Sequence, residues 1–202
     1  MKVILPFLLF FPFFSNAQLL QKIEKEKHTG YYWDLDGNKN AGTFEMYHSK
    51  PTGIGTFLKY YNNYSTDKKP LKLTKKNIES FVLGVDSFAL IRNFLVTPTI
   101  KYLYDFAQVV EIGKINLYLH KRKSQQSGQG GSGTHFSIYY KESIIQDSGT
   151  NPNKCIRGKK TVAKFLLPLI KNNNQLFSRV TSLTKDEVLE QLPEIIKKYN
   201  SN

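Results

Sequence analysis

A chain of 202 residues with 29 Lys and Arg against 16 Asp and Glu carries a formal charge of +13, one unit of it on Lys2. That length fits one domain, or one domain with a small appendage, able to bury a core without disulfides or metal. The single cysteine, Cys155, excludes an intrachain bridge. The charge points to anionic partners, lipid head groups or acidic polysaccharide ahead of nucleic acid, with plain solubility as the alternative.

The first seventeen residues, MKVILPFLLFFPFFSNA, place Lys2 ahead of an apolar run from Val3 to Phe14 and end on Ser15-Asn16-Ala17. This is the layout of a secretory signal peptide, with an apolar run too short to span a bilayer. Residues 1–17 are therefore expected to be cleaved, leaving an exported, periplasmic or extracellular protein. Gln18 rather than Cys follows the cut, which excludes a lipid anchor there. No later segment is predicted to cross a membrane, since Val162 to Ile170 is short and interrupted by Lys164 and Pro168.

Residues 18–29 form a charged lead-in. From Gly30 the pattern has period two: Tyr31, Trp33 and Leu35 alternate with Tyr32 and Asp34, residues 36–40 form an Asp-Gly turn, and Phe44 and Met46 alternate on the return. That pattern predicts a β-hairpin. Further strands are expected over 56–61, 71–73, 80–83, 87–96, 106–112, 114–123 and 134–141, with one helical turn over 77–80. Residues 124–133 (SQQSGQGGSG) are a flexible loop by composition. Residues 160–200 change to helical spacing. Pro168 is expected to kink or end the first helix, Thr184-Lys185-Asp186-Glu187 forms a capping box, and Pro193 starts a new turn. The predicted fold is α+β: one domain over 30–202, with an antiparallel meander of six to nine strands over 30–142 and two or three short C-terminal helices packing on it.

Motif by motif, the chemistry stays thin. Gly128 to Gly133 matches G-x-G-x-x-G, but a strand rather than a helix follows it, so no nucleotide is expected. Asp34, Asp36, Asn38, Asn40 and Glu45 have calcium-loop spacing, but Lys39 stands where the turning Gly belongs, and a hairpin turn explains them. His28, His48, His120 and His135 form no metal motif, and His120 and His135 are read as exposed residues facing each other across a hairpin. No catalytic, cofactor-binding or metal residue is predicted, although Asp86, Asp105 and Glu111 could converge with the histidines in three dimensions. Cys155 reads as buried and inert ahead of pairing between chains.

The positive signal is basic. Lys121, Arg122 and Lys123 end one strand, with Tyr139 and Tyr140 opposite, and Arg157, Lys159 and Lys160 lie with Lys154 between sheet and helices. Lys68, Lys69, Lys75 and Lys76 make a third group. The first six residues form the candidate polyanion-binding set, against the alternative that lysines merely solvate a strand edge.

The segments GYYWDLDGNKNAGTF, NIESFVLGVDSFALI, QVVEIGKINLYLH, IYYK and EIIKKYN, in this order behind the signal peptide, resemble secreted proteins of the Bacteroidota type. The resemblance implies a cell-envelope location and transfers no catalytic or binding residue. Three functional readings stand at this point: a non-catalytic envelope module that binds or scaffolds an unknown component; a binder of anionic lipid or polysaccharide through a basic strand edge; and a hydrolase whose site assembles only in three dimensions.

Overall fold

The computed structural model describes residues 26–48, 55–62, 69–97, 100–127, 135–147 and 153–202. The predicted signal peptide, the lead-in up to residue 25 and the motif over 128–133 lie outside them. Ten strands build one antiparallel sheet: β1 (Lys27–Asp34), β2 (Lys39–His48), β3 (Thr56–Tyr61), β4 (Leu71–Thr74), β5 (Ile78–Leu83), β6 (Asp86–Leu95), β7 (Lys101–Glu111), β8 (Ile115–Ser127), β9 (His135–Asp147) and β10 (Lys154–Ile156). Their spatial order is β10-β9-β8-β7-β6-β5-β1-β2-β3-β4. β1 to β4 meander away on one side, and β5 returns to the free side of β1 and starts a second meander. Helices follow the sheet in sequence, so the α+β expectation holds at that level, with strands dominant.

Period-two alternation decides which face each strand buries. Along β1, β2 and β3, the side carrying Tyr32, Phe44, Met46 and Leu58 joins Phe81, Phe88 and Phe106 in one core. Strands β6 and β7 are buried on both faces: Leu90 and Phe106 belong to that core, while their neighbours Ile91 and Ala107 belong to a second, with Phe94, Tyr102, Tyr118 and Ile144. β8, β9 and β10 share Leu117, Ile145 and Ile156 with a third core under the helices. Near-continuous apolar runs such as SFALI are the signature of this two-sided burial. The parity of β6 changes beside Asn93, whose φ of 51° lies in the left-handed region that Asn tolerates better than bulkier side chains.

Several expectations are corrected. Among the described residues there are ten strands, not six to nine, because β10 is only three residues long and carries too little pattern to detect. β1 starts at Lys27, inside the predicted lead-in, and β7 starts at Lys101 rather than 106. Residues 77–80 are no helical turn: Asn77 Oδ1 accepts from the Thr74 N–H and hydroxyl to close a tight turn, and β5 begins at Ile78. Strand pairing also runs into the Gly/Ser segment, through Ser127 opposite His135.

The helical region has three parts. α1 covers residues 159–170, with a π-helical stretch at Val162–Leu166 followed by Leu167–Ile170, so Pro168 enters at the start of a new α-turn, where its missing N–H costs least. α2 is Asn174–Ser182 and α3 is Lys185–Asn200. The predicted capping box is present: Thr184 Oγ1 accepts the Glu187 N–H, and Glu187 Oε2 accepts the Thr184 N–H at 2.7 Å. Pro193 lies inside α3, which runs through it with Val188, Leu192, Ile195 and Ile196 buried on one continuous face.

α3 ends on a clamp. Asn200 Oδ1 accepts the Ile115 N–H and its Nδ2 donates to the Ile115 carbonyl, both at 2.9 Å, pinning the helix to the first residue of β8. Gly113 leaves room for it, since a Cβ there would collide with the Asn200 amide. Replacing Asn200 by Ala should destabilise the fold by about 1–3 kcal/mol, the cost of losing two partly buried backbone partners; urea denaturation checks this, and an unchanged midpoint would show the clamp to be idle.

Candidate functional site

The densest polar chemistry lies inside the protein, on adjacent strands. His120 of β8 is fully buried, and its Nδ1 faces Glu142 Oε2 of β9 while its Nε2 faces Asp105 Oδ2 of β7, each at 3.2 Å. Ionised carboxylate oxygens only accept, so both ring nitrogens donate and the imidazole is held as the cation. Arg122 Nε donates to the other Glu142 oxygen at 2.7 Å, and Asp105 Oδ1 accepts the N–H groups of Thr56 and Phe106. Two cations and two anions sum to zero, which makes the cluster tolerable in a dry setting. Phe94 and Tyr102 set ring edges against the imidazole at 4.9 and 4.7 Å.

Burial opposes the charge on His120, yet the hydrogen bonds and charges of Asp105 and Glu142 outweigh it and raise its pKa above the ordinary 6.5. Burial likewise pushes Asp105 up, but its bond to His120, the imidazolium charge and the two backbone N–H groups hold it below its ordinary 3.8. The expectation of an exposed His120 facing His135 is thus overturned: the register puts His120 opposite Glu142, and His135 opposite Ser127.

The outer end of this cluster meets a cavity of about 400 Å³ beside the start of α3. Arg122 and Glu142 line it with Lys141, Arg157, Lys185 and Asp186, against an apolar wall that includes Leu119, Ile156 and Leu189. A second recess of about 360 Å³ shares Arg157 and Lys185 and adds Lys159 and Lys160. Four of the six candidate polyanion-binding residues, Arg122, Arg157, Lys159 and Lys160, therefore come together around two adjoining cavities. Lys121 and Lys123 do not line them. β8 is an interior strand rather than an edge, and Lys121 and Arg122 are buried, which corrects the reading of that cluster as an exposed edge. The sequence pattern missed Lys141 and Lys185, which sit alone in their segments and join the others only through pairing and helix packing. Lys121 stands opposite Lys141 in the ladder; burial and that like charge lower the Lys141 pKa.

Asp34, Asp86 and His48 are engaged in hydrogen bonds within the sheet and its turns. Asp34 Oδ1 accepts from the backbone of Asp36 and Asn38, so the calcium-like spacing is a hairpin turn, with Gly37 at φ 81°. Asp86 accepts from Gln108, and His48 Nδ1 lies 3.1 Å from Thr56 Oγ1. None of His48, His120, Asp86, Asp105 or Glu111 lines either cavity. Cys155 is buried, and burial pushes its thiol up to about 11, leaving it protonated at neutral pH. Among the described residues no helix is long and apolar enough to cross a membrane. No protein-family model, curated protein or solved structure matches this chain.

The buried cluster predicts a stability profile with two limbs. The raised histidine contributes stability that is complete below pH 6.5 and is lost as pH climbs through its folded value. The lowered Asp105 contributes stability that is complete above its ordinary 3.8 and is lost as pH falls through its folded value. His120→Gln should flatten the alkaline limb and, at pH 5.5, cost about 3–5 kcal/mol by removing the counter-charge of the buried Asp105, whereas Glu142 keeps Arg122. Denaturant titrations at pH 5.5, 7.5 and 9 read both effects. An alkaline limb retained by the variant would exclude His120 as its source.

Proposed function

We propose that this protein is an exported, non-catalytic binding module of the cell envelope, and that it holds an anionic group of a lipid or polysaccharide in the cavity between β8, β9, β10 and the start of α3. The observation that carries the reading is convergence. Arg122, Lys141, Arg157 and Lys185 come from four separate segments and line one cavity of about 400 Å³. Of the two carboxylates in the lining, Glu142 is already engaged by Arg122 and His120, and Asp186 lies in the first turn of α3, where the helix dipole favours it. The apolar wall suits a ligand that carries carbon as well as charge. An anion there would favour the protonated form of Lys141, which partial desolvation and the charge of Lys121 oppose. Export rests on the signal-peptide pattern of residues 1–17, and envelope placement on the resemblance to secreted Bacteroidota-type proteins.

The test is titration of inorganic pyrophosphate and sedimentation with phosphatidylglycerol or phosphatidylcholine vesicles, at low and at moderate salt. Binding to the anionic probes should weaken as salt rises and fall about tenfold or more in the Arg157→Glu, Lys185→Glu double variant, a change of roughly 1.4 kcal/mol. Equal binding by both forms would remove the cavity from consideration.

A further inference from the structure

A second surface lies on the sheet far along the strand order from this cavity, and it has its own chemistry. On β1 to β4 the residues between those of the buried core point outward. Pairing sets Trp33 beside Lys39, Thr43 beside Tyr61, Glu45 beside Lys59 and Tyr47 beside Phe57. Trp33, Tyr47, Phe57 and Tyr61 are only half-buried. Each ring cluster carries a lysine: Lys39 stands 3.8 Å over Tyr31, Lys72 4.4 Å over Phe57, Lys27 4.5 Å over Tyr61 and Lys59 4.6 Å over Tyr47. Between the two aromatic groups lie the small side chains of Thr29, Ala41 and Thr43.

On the same face, opposite Lys59, sits one carboxylate. Glu45 accepts from the Tyr47 hydroxyl at 2.6 Å and the Tyr61 hydroxyl at 2.9 Å, with Lys59 at 3.9 Å. These hydrogen bonds, led by that of Tyr47, hold its pKa below the ordinary value, so it is ionised at neutral pH.

We infer that this outer face of β1 to β4 is a docking surface for an acidic polysaccharide. Charge complementarity selects the class: four lysines surround one carboxylate, so the face is cationic overall but not uniformly so. A hydroxyl-rich chain with spaced carboxylates can pair with the lysines and also donate to Glu45. A nucleic-acid strand, charged at every unit, meets repulsion at Glu45 and finds lysines over the ring faces on which its bases would stack. From Lys39 to Tyr47 the face is roughly 27 Å long at about 3.4 Å per residue, which suits an extended chain of several sugar units. The inference does not depend on the cavity reading, because the two share no residue.

Trp33 is the only tryptophan of the chain, so its emission reports on this face alone. Hyaluronate, a hydroxyl-rich chain with a carboxylate on every second sugar, should shift or quench that emission saturably when added to the purified protein, and dextran should leave it unchanged. The Lys39→Glu, Lys72→Glu double variant changes two exposed residues and should weaken the response at least tenfold with an unaltered thermal midpoint, while Arg157→Glu leaves it intact. The inference is overturned if hyaluronate gives no response, if a single-stranded oligonucleotide gives an equal one, or if Arg157→Glu abolishes it while the Lys39/Lys72 variant does not.

Discussion

The bond between Asp105 and the N–H of Thr56 sets the shape of the molecule. Asp105 belongs to β7 and Thr56 opens β3, and four strands, β6, β5, β1 and β2, separate the two in the sheet. A hydrogen bond across that interval exists only because the sheet rolls over, which brings Leu119 of β8 against the aromatic core of β1 to β6. Gly55 belongs to the same closure. Its φ of 82° and its contact with the Asp105 carboxylate leave no place for a side chain there. A carboxylate buried this deeply needs a counter-charge, which His120 supplies. His120 in turn needs Glu142, and Glu142 holds Arg122.

This closure also explains why three cores coexist in a chain of moderate length. A sheet rolled in one direction buries only its inner face. Here β10 approaches β6 from the other side, and Asn153 of the segment before β10 donates to the Arg92 carbonyl. The middle strands β6 to β9 thus have apolar neighbours above and below, while β1 to β4 keep one face toward solvent. The division of labour follows from that asymmetry. Where both faces are buried, polar groups survive only as a balanced cluster; where one face is open, aromatic rings and lysines can share it.

The sequence was legible where pattern is local. The Asp-Gly hairpin, the limits of β3 and the Thr184 capping box depend on neighbours within a few residues, and all three are present. Doubly buried strands lack alternation, so the limits of β7 are not readable, and β10 is too short to carry a pattern. The central cluster was less visible still. In sequence His120-Lys121-Arg122-Lys123 reads as a basic strand end, because nothing local reveals that Asp105 and Glu142 arrive from 15 and 22 residues away to enclose its histidine. The same blindness applies to Lys141 and Lys185, isolated cations that gain meaning only from the cavity they help line.

Arg122 links the closure to the proposed ligand site. Lysine side chains can attract an anion, but ordering each long stem on binding costs conformational entropy. Arg122 is already ordered by Glu142, and behind Glu142 stand His120, Asp105 and the backbone of Thr56, a continuous run of bonds from the seam of the rolled sheet to the cavity wall. A guanidinium fixed in this way offers directional donors at little further cost, whereas the surrounding lysines supply charge that follows the ligand. The burial of Arg122, which removes it from any strand-edge role, is therefore what makes it a preorganised cation in the cavity wall.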